Sequence, residues 1–145
     1  MKTVHRSALV MHSAEQMYRL VNDVEAYPQF LPWCHGSRVQ SATPEEIVAS
    51  LDVGKAGVSK TFTTRNRLVE GQSVEVELVD GPFQHLTGSW VFTPLSEEAC
   101  RVELDLEFEF SSNLVAVMLG PIFNEAANTM VAAFCKRADD VYDAG

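Results

Sequence analysis

The chain has 145 residues, a length that fits one domain over 1–145 with a core large enough to fold without disulfides or metals. Its 20 acidic and 11 basic residues give a formal net charge of −9, which disfavours direct binding to DNA or RNA. The three cysteines form no CxxC pair, and the apolar run Ala8–Met11 is too short for a signal peptide. We therefore expect a cytoplasmic protein with reduced thiols, whose acidic surface suits a basic protein partner.

The first third of the chain combines one strand with short helices. Thr3–Val10 is predicted to be a strand, and Ser13 can cap a helix over Ala14–Asn22. Pro28 and Pro32 then separate a second, shorter helical turn. The predicted buried stripe of these helices consists of Met17, Leu20, Val21 and Val24.

From about residue 37 the hydrophobic pattern changes to period two, which is typical of antiparallel strands. The clearest hairpin joins Val58–Leu68 to Gln72–Val79 around Gly71, in a register that pairs Arg67 with Glu75. Apolar side chains of both strands then share the opposite face, so one side of this hairpin should pack on a core.

Two later strands carry the strongest alternation. Leu86–Pro94 places Trp90 and Phe92 on one side. Arg101–Phe110 alternates five apolar residues with five charged ones, as a sheet with one solvated face requires. Its acidic residues should form a solvated surface, because alternate strand residues point the same way. They are Glu103, Asp105, Glu107 and Glu109.

After Asn113 the pattern becomes helical to about Tyr142, a helix of roughly 45 Å at 1.5 Å per residue. Gly120 and Pro121 should kink or break it. The fold class is therefore α+β, with about seven antiparallel strands and a long C-terminal helix lying across them. The helix face predicted to press on the sheet consists of Leu119, Ile122, Phe123, Ala126, Met130, Ala133, Phe134 and Val141.

No catalytic or metal-binding motif is present. The four histidines have no HxxxH spacing, and we expect surface or loop positions for them. Cys34 lies beside His35, but a structural role is favoured over a nucleophilic one. The chain contains no GxSxG, GxxxxGK[ST] or GxGxxG sequence. We therefore expect no catalytic residues, no metal and no enzyme activity.

Aromatic residues are dense on the predicted inner face, which is compatible with an adaptable pocket or with an ordinary core. The residues that converge there are Phe62, Trp90, Phe92, Phe108 and Phe110 from the strands, and Met118, Phe123, Met130 and Phe134 from the helix. The uncharged segment Leu114–Phe123 is shorter than the ~20 residues of a membrane span. It is predicted to be a lid, an interfacial contact or a buried part of the helix.

Three segments resemble a known family. They are DVEAYPQFLPWC (Asp23–Cys34), DGPFQHLTGSWVF (Asp80–Phe92) and VELDLEFEFSS (Val102–Ser112). Together they are similar to the START-like superfamily (polyketide cyclase/dehydrase, SRPBCC), in the subgroup of the bacterial ribosome association toxin RatA and the mitochondrial coenzyme Q-binding proteins. The resemblance implies a helix-grip fold, in which a curved sheet wraps around the C-terminal helix and encloses a hydrophobic cavity.

The resemblance also implies a function. The expected ligand is ubiquinone (coenzyme Q) or a precursor, held without any required cofactor by a lipid chaperone that supports respiratory electron transport. Asn66 or Thr64 would orient the ligand's head group. By motif, the cavity mouth would be formed by Tyr27, Phe30, Leu31 and Trp33, and one wall by Phe83, Leu86, Trp90 and Phe92.

A different role is implied by the same subgroup. A toxin of a toxin-antitoxin system would bind the large ribosomal subunit and block subunit association. A lipid chaperone would instead make transient contact with a membrane surface and could be peripheral to the inner membrane. Both roles remain open at the level of sequence.

Overall fold

Period-two segments and one long helical segment produce a single antiparallel sheet crossed by a helix. The computed structural model describes residues 1–55 and 57–142. The strands are β1 (Lys2–Val10), β2 (Cys34–Ala42), β3 (Glu46–Lys55), β4 (Val58–Val69), β5 (Ser73–Asp80), β6 (Phe83–Ser96) and β7 (Ala99–Phe110). The helices are α1 (Ala14–Asn22), a 3-10 helix (Val24–Gln29) and α2 (Asn113–Tyr142).

The sheet has the order β1-β7-β6-β5-β4-β3-β2, and every neighbouring pair is antiparallel. Strands β2 to β7 follow one another by hairpins, and β1 adds to the edge beside β7. The predicted pairing of Arg67 with Glu75 is confirmed. Gly71 has a φ of 68°, the left-handed conformation that the β4–β5 turn needs and that glycine adopts without strain.

Helix α1 begins at Ser13, as predicted. The Ser13 side chain accepts a hydrogen bond from the Gln16 backbone N–H, and the Gln16 side chain accepts one from the Ser13 backbone N–H. This reciprocal capping box provides acceptors for two backbone N–H groups that have no partner within the helix. The predicted stripe is confirmed, since Met17, Leu20 and Val21 are buried.

Helix α2 is continuous from Asn113 to Tyr142, so a break at Gly120–Pro121 is wrong, and a kink there stays a prediction. Proline lacks an N–H, which leaves the carbonyl of Val117, four residues earlier, without its helical donor. Val117 and Pro121 are both exposed. Water can therefore replace the lost hydrogen bond, and the helix continues.

Helix α2 contacts β1 and β7 near one edge of the sheet and β3 near the other, so the sheet wraps around it in the predicted helix-grip arrangement. The predicted burial of Val141 is wrong, because its side chain is 46% exposed. An α-helix has 3.6 residues per turn, so residues chosen at three- and four-residue steps gradually rotate around a helix of 30 residues and leave its buried face. The buried face consists of Leu119, Gly120, Ile122, Phe123, Ala126, Ala127, Val131, Phe134 and Ala138.

The C-terminal end of α2 is attached to the beginning of α1. The Tyr142 hydroxyl donates to the Gln16 carbonyl at 2.9 Å, and His12 Nε2 lies 2.8 Å from Asp139 Oδ1. His12 is only 3% exposed, so the expected surface or loop position is wrong for this histidine. A buried polar ring is tolerated there because it is hydrogen-bonded. His5, His35 and His85 are not buried.

An acid-sensitive ion pair joins β2 to β3. Arg38 donates to both Asp52 carboxylate oxygens, at 2.9 and 3.1 Å, and the Thr61 hydroxyl donates to Asp52 Oδ1. These hydrogen bonds, first that of Arg38 and then that of Thr61, lower the pKa of Asp52 from 3.8 to about 2. Because the folded pKa is depressed, the stabilisation exists above pH ~4 and is lost as the pH falls towards 2.

We expect Asp52→Asn to lower the free energy of unfolding at pH 5, with a deficit relative to the wild type that shrinks as the pH falls to 2.5. Urea denaturation at the two pH values measures this. Arg38→Gln removes the other partner of the ion pair, and its loss of unfolding free energy should also be smaller at pH 2.5 than at pH 5. A deficit independent of pH would contradict the assignment.

Candidate functional site: an apolar cavity between the sheet and the helices

An apolar cavity of about 90 Å³ lies between the inner face of the sheet, α1, the 3-10 helix and the middle of α2. None of its lining residues is charged. They are Val21, Val24, Tyr27, Trp33, Ala49, Leu51, Phe62, Thr64, Asn66, Val74, Val76, Leu86, Trp90, Leu104, Leu106, Phe123, Ala126 and Met130. A wall of this composition favours an apolar guest over a charged one.

The hydroxyl and amide side chains of the wall form two hydrogen bonds. The Thr64 hydroxyl donates to Asn66 Oδ1 at 2.9 Å, two residues along β4. The Tyr27 hydroxyl donates to the Val21 carbonyl. Burial raises the pKa of Tyr27 strongly, so this phenol remains protonated at any physiological pH. The cavity therefore offers hydrogen-bonding groups without an acid or base that titrates near neutrality.

Two aromatic clusters flank the cavity. The first contains Phe62, Phe83, Phe108, Phe110 and Phe123, whose neighbouring ring centroids lie 4.7 to 6.3 Å apart. The second contains Tyr18, Tyr27, Phe30, Trp90, Phe92 and Phe134, with neighbouring centroids 5.1 to 6.3 Å apart. Most of these contacts are edge-to-face, the arrangement that aromatic pairs prefer in a packed interior.

The structure brings about half of the predicted cavity residues to the cavity wall. Those that line it are Tyr27, Trp33, Phe62, Leu86, Trp90, Phe123 and Met130. Those that lie behind the wall, in the core or against it, are Phe30, Leu31, Phe83, Phe92, Phe108, Phe110 and Phe134. Whether any of these side chains contacts a ligand stays a prediction.

Met118 lies elsewhere. Its side chain is 41% exposed, so its predicted place on the inner face is wrong. The buried residues of this turn are Leu119 and Gly120, and Met118 is rotated away from them by one and two steps of 100° respectively. The helical register, rather than the apolar character of the residue, decides which side chain is buried.

The aliphatic part of the wall was not predicted from the sequence, although Thr64 and Asn66 were candidates. The missed residues are Val21, Val24, Ala49, Leu51, Val74, Val76, Leu104, Leu106 and Ala126. The sequence shows only that these residues lie on a predicted inner face, and every core residue has that property. Ala49 and Ala126 have small side chains, which leave part of the interior empty. No pattern in the sequence shows where such a space lies.

The size of the cavity limits what it can hold in this conformation. Sites for small molecules usually occupy roughly 300–1,000 Å³, and about 150 Å³ suffices for a benzene-sized guest. A cavity of about 90 Å³ therefore has to widen before a substituted ring can enter. Met130 is the flexible side chain of the wall and is only half-buried, so it can move most readily.

A larger depression, of about 820 Å³, lies on the outer face of the sheet. Its wall includes His5, Asp105, His85 and Glu107, which pair across neighbouring strands at 2.6 and 3.4 Å. A wall that contains many charged and polar side chains suits water and polar partners rather than an apolar ligand. The smaller interior cavity is the better candidate site.

The cysteines show no sign of nucleophilic activation. Burial raises the pKa of Cys34 and of Cys100 to about 11, so both are protonated thiols at neutral pH. The Cys34 thiol donates to the Gly36 carbonyl at 3.3 Å. Within residues 1–55 and 57–142, no group of three or more His, Cys, Asp or Glu side chains could hold a metal ion.

The first turns of α2 expose an apolar surface, which we call the α2 stripe and define as Leu114, Val117 and Met118. These side chains are 70%, 75% and 41% exposed and share a helix face at three- and four-residue steps. By length and hydropathy α2 as a whole could cross a membrane. Its opposite face is part of the core, however, and that packing accounts for its apolar character.

Comparison with known proteins agrees with this architecture. The family described as polyketide cyclase/dehydrase and lipid transport matches residues 10–135. This chain belongs to that family. The ribosome association toxin RatA of Escherichia coli K12 is 57% identical over 144 residues, which cover 99% of this chain and 91% of the relative. The predicted START-like subgroup is thereby confirmed.

A more distant relative and a solved structure are also similar. The mitochondrial coenzyme Q-binding protein COQ10 homolog B of Xenopus laevis is 34% identical over 140 residues, covering 94% of this chain and 57% of that protein. The crystal structure of the ZhuI aromatase/cyclase from Streptomyces sp. R1128 has a TM-score of 0.85 and covers 99% of this chain and 98% of its own. At 19% identity, the latter similarity supports the helix-grip fold alone.

Proposed function

We propose that the protein binds a hydrophobic small molecule of the quinone class between the sheet and α2, and carries it as a lipid chaperone in support of respiratory electron transport. The observation that carries this proposal is the uncharged aromatic and aliphatic cavity with one hydroxyl–amide pair, Thr64 and Asn66, in its wall. The name of the coenzyme Q-binding relative supports the same ligand class.

Burial of the ring and of the first isoprenoid carbons would drive binding, at roughly 25 cal/mol for each Å² of apolar surface removed from water. Thr64 and Asn66 would orient the head group by hydrogen bonding. The wall provides no charged side chain and no thiol, so we propose a carrier rather than an enzyme. No cofactor is needed for this role.

Binding requires the cavity to expand, and α2 contributes the residues that can permit it. Met130 can change rotamer, and the ring of Phe123 belongs to both the cavity wall and the first aromatic cluster. Displacing them opens space towards the core without breaking any hydrogen bond of Thr64 or Asn66. The ligand-bound state is therefore expected to differ from this one mainly in side-chain positions on α2.

Tryptophan fluorescence tests this proposal directly, because the chain has two tryptophans and both Trp33 and Trp90 line the cavity. Titration with a short-chain benzoquinone should quench the emission and saturate at one ligand per protein. An alkyl benzene of similar size that lacks carbonyls serves as a control for non-specific partition. Quenching that rises linearly without saturation would reject the proposal.

The α2 stripe is the surface that we propose for transient contact with a membrane. Residues 111–124 carry no charged side chain, whereas the protein as a whole has a charge of −9, so a neutral lipid surface is favoured over an anionic one. Three side chains expose far less than the ~800 Å² per partner of a standard protein interface, which disfavours a second copy of the chain.

In vesicle flotation with phosphatidylcholine, we expect Val117→Asp to reduce the membrane-bound fraction severalfold, because a charge on the stripe opposes its insertion. The matched control is Leu9→Asp on β1, where the native side chain is similarly exposed at 73%. If both variants float like the wild type, or if the wild type does not float, the stripe is not a membrane contact.

A second candidate function is ribosome association, which is favoured by the name of a relative 57% identical over 99% of the chain. We propose binding to the large ribosomal subunit with a block of subunit joining, in the cytoplasm. The charge of −9 opposes contact with ribosomal RNA, so the partner would be a basic ribosomal protein.

Sucrose-gradient sedimentation tests the second candidate. Added protein should deplete joined ribosomes and accumulate free subunits, and this effect should weaken with rising salt if charge attraction contributes. Profiles unchanged at a large molar excess of folded protein would reject it. Because charge attraction to a basic ribosomal protein would use the outer surface and not the cavity, variants that fill the cavity should retain the effect.

A further inference from the structure

We propose that Arg137 holds the cavity closed, and that ligands enter and leave beside the ring of Phe30 when the contacts of Arg137 with Gln29 and Phe30 break. This inference rests on the proposed function and adds the control of ligand exchange to it. It concerns the seam, which we define as the gap between the 3-10 helix and α2 that is closed by the side chains of Tyr27, Phe30, Phe134 and Arg137.

The seam connects the cavity with the surface of the protein. Met130 lines the cavity from α2, and Phe134 and Arg137 follow on the same helix face at steps of four and three residues. On the other side of the seam, Tyr27 lines the cavity, whereas Gln29 at the end of the 3-10 helix is exposed. A path along this face therefore leads from the cavity wall, past the aromatic rings of the seam, to solvent.

Side chains, rather than backbone, hold the two sides of the seam together. The backbones of the 3-10 helix and α2 make little close contact, although the 3-10 helix packs closely against β2. The ring centroid of Phe30 lies 5.1 Å from that of Phe134. The guanidinium carbon of Arg137 lies 5.1 Å from the centroid of Phe30, and Arg137 Nη2 donates to Gln29 Oε1 at 2.9 Å. Side-chain rotation can therefore open the seam without breaking a strand or a helix.

Phe30 is the ring of the seam that can move most readily. Tyr27 is buried and its hydroxyl is bonded to the Val21 carbonyl, and Phe134 is 0% exposed. Phe30, by contrast, is only half-buried. The positive charge of Arg137 over its face attracts the ring electrostatically. Displacement of Phe30 into solvent consequently requires that the guanidinium first move away from it.

The hydrogen bonding of Arg137 allows these contacts to break. Arg137 Nε is buried and has no hydrogen-bond acceptor within residues 1–55 and 57–142. A buried N–H without an acceptor carries a desolvation cost, which water removes when the seam opens. The hydrogen bond to Gln29 and the contact with Phe30 thus favour the closed state, while the unpaired Nε reduces its advantage over an open state.

Stopped-flow tryptophan fluorescence with a short-chain benzoquinone tests the inference, because the exchange rates depend on the fraction of molecules in which the seam is open. We expect Arg137→Met to raise the association and dissociation rate constants about tenfold, through loss of the hydrogen bond and the cation–π contact. The dissociation constant should change by less than about twofold, because these contacts exist in both the free and the bound protein. Lys136→Met removes the same charge at the neighbouring exposed position and should leave both rates unchanged.

Gln29→Glu tests the seam in the opposite direction. A carboxylate at this position can form an ion pair with the guanidinium of Arg137 in place of the neutral hydrogen bond. Both rate constants should therefore fall about threefold at low ionic strength, and added salt should reduce this effect. Gln84→Glu makes the same change at an exposed position of β6 and should have no effect.

The outcomes separate the two proposals. If the wild-type protein shows no saturable binding, the proposed function itself fails. If the wild type binds but Arg137→Met and Gln29→Glu exchange the ligand at wild-type rates, ligand binding stands and control by Arg137 is rejected. A changed dissociation constant for Arg137→Met with an unchanged association rate would make Arg137 a ligand contact, which also rejects the inference.

Discussion

Replacement of Phe108 by aspartate should abolish cooperative folding at 25 °C. Phe108 is 1% exposed, and its ring centroid lies 4.7 Å from that of Phe123 and 5.7 Å from that of Phe110. Removing the ring costs about 3–5 kcal/mol, and an unpaired buried carboxylate adds several more. Their sum is comparable with the roughly 5–15 kcal/mol that stabilises a typical domain. Circular dichroism during urea denaturation measures the loss.

The destabilisation caused by an introduced aspartate depends on whether the position is buried. Val79→Asp places the same side chain on β5, where the native valine is 47% exposed, and should change the free energy of unfolding by less than about 1 kcal/mol. Phe108→Leu should retain the fold at a cost of about 1–2 kcal/mol. A folded Phe108→Asp protein with wild-type stability would contradict the assignment of this ring to the core.

Filling the cavity should weaken ligand binding without damaging the fold. Ala49 lies on β3 in the cavity wall and is 3% exposed, so Ala49→Leu places its extra carbons in the existing space. Cavity-filling substitutions commonly stabilise proteins by about 0.5–2 kcal/mol. A ligand forced against the new side chain would lose about 1–3 kcal/mol, or roughly 5- to 150-fold in affinity.

The Ala49→Leu experiment combines thermal unfolding with the tryptophan titration. Ala42→Leu, the same change at an exposed position of β2, is the matched control and should affect neither measurement. Ala126→Leu fills the cavity from α2 and should act like Ala49→Leu. Unchanged ligand affinity in both cavity variants would mean that the ligand binds elsewhere.

The sequence predicts the strands because a sheet with one solvated face imposes period two on its residues. The alternation in residues 101–110 indicates β7 and its buried side without ambiguity, and the charged pairs of β4 and β5 determine their register. The α2 face was harder to predict, because three- and four-residue steps fit several faces of a largely apolar helix. Met118 and Val141 were misplaced for that reason.

The cavity could not be derived from residue patterns. Leu104 lines it and Val102 belongs to the same buried face of β7, yet the two residues have the same chemistry in the sequence. Only the packing around the two residues in the folded protein determines that Leu104 borders the cavity and Val102 does not. The family resemblance supplied the expectation of a hollow interior, and the structure gives its walls and its small size.

The central claim is that an apolar ligand occupies the space between the inner face of the sheet and α2. A crystal structure of the protein grown with a saturating short-chain benzoquinone tests it most directly. We predict a ring between Trp33 and Trp90, a carbonyl oxygen within hydrogen-bonding distance of Asn66 Nδ2, and displaced side chains at Met130 and Phe123. A cavity that stays at about 90 Å³ and empty at saturation would contradict the account.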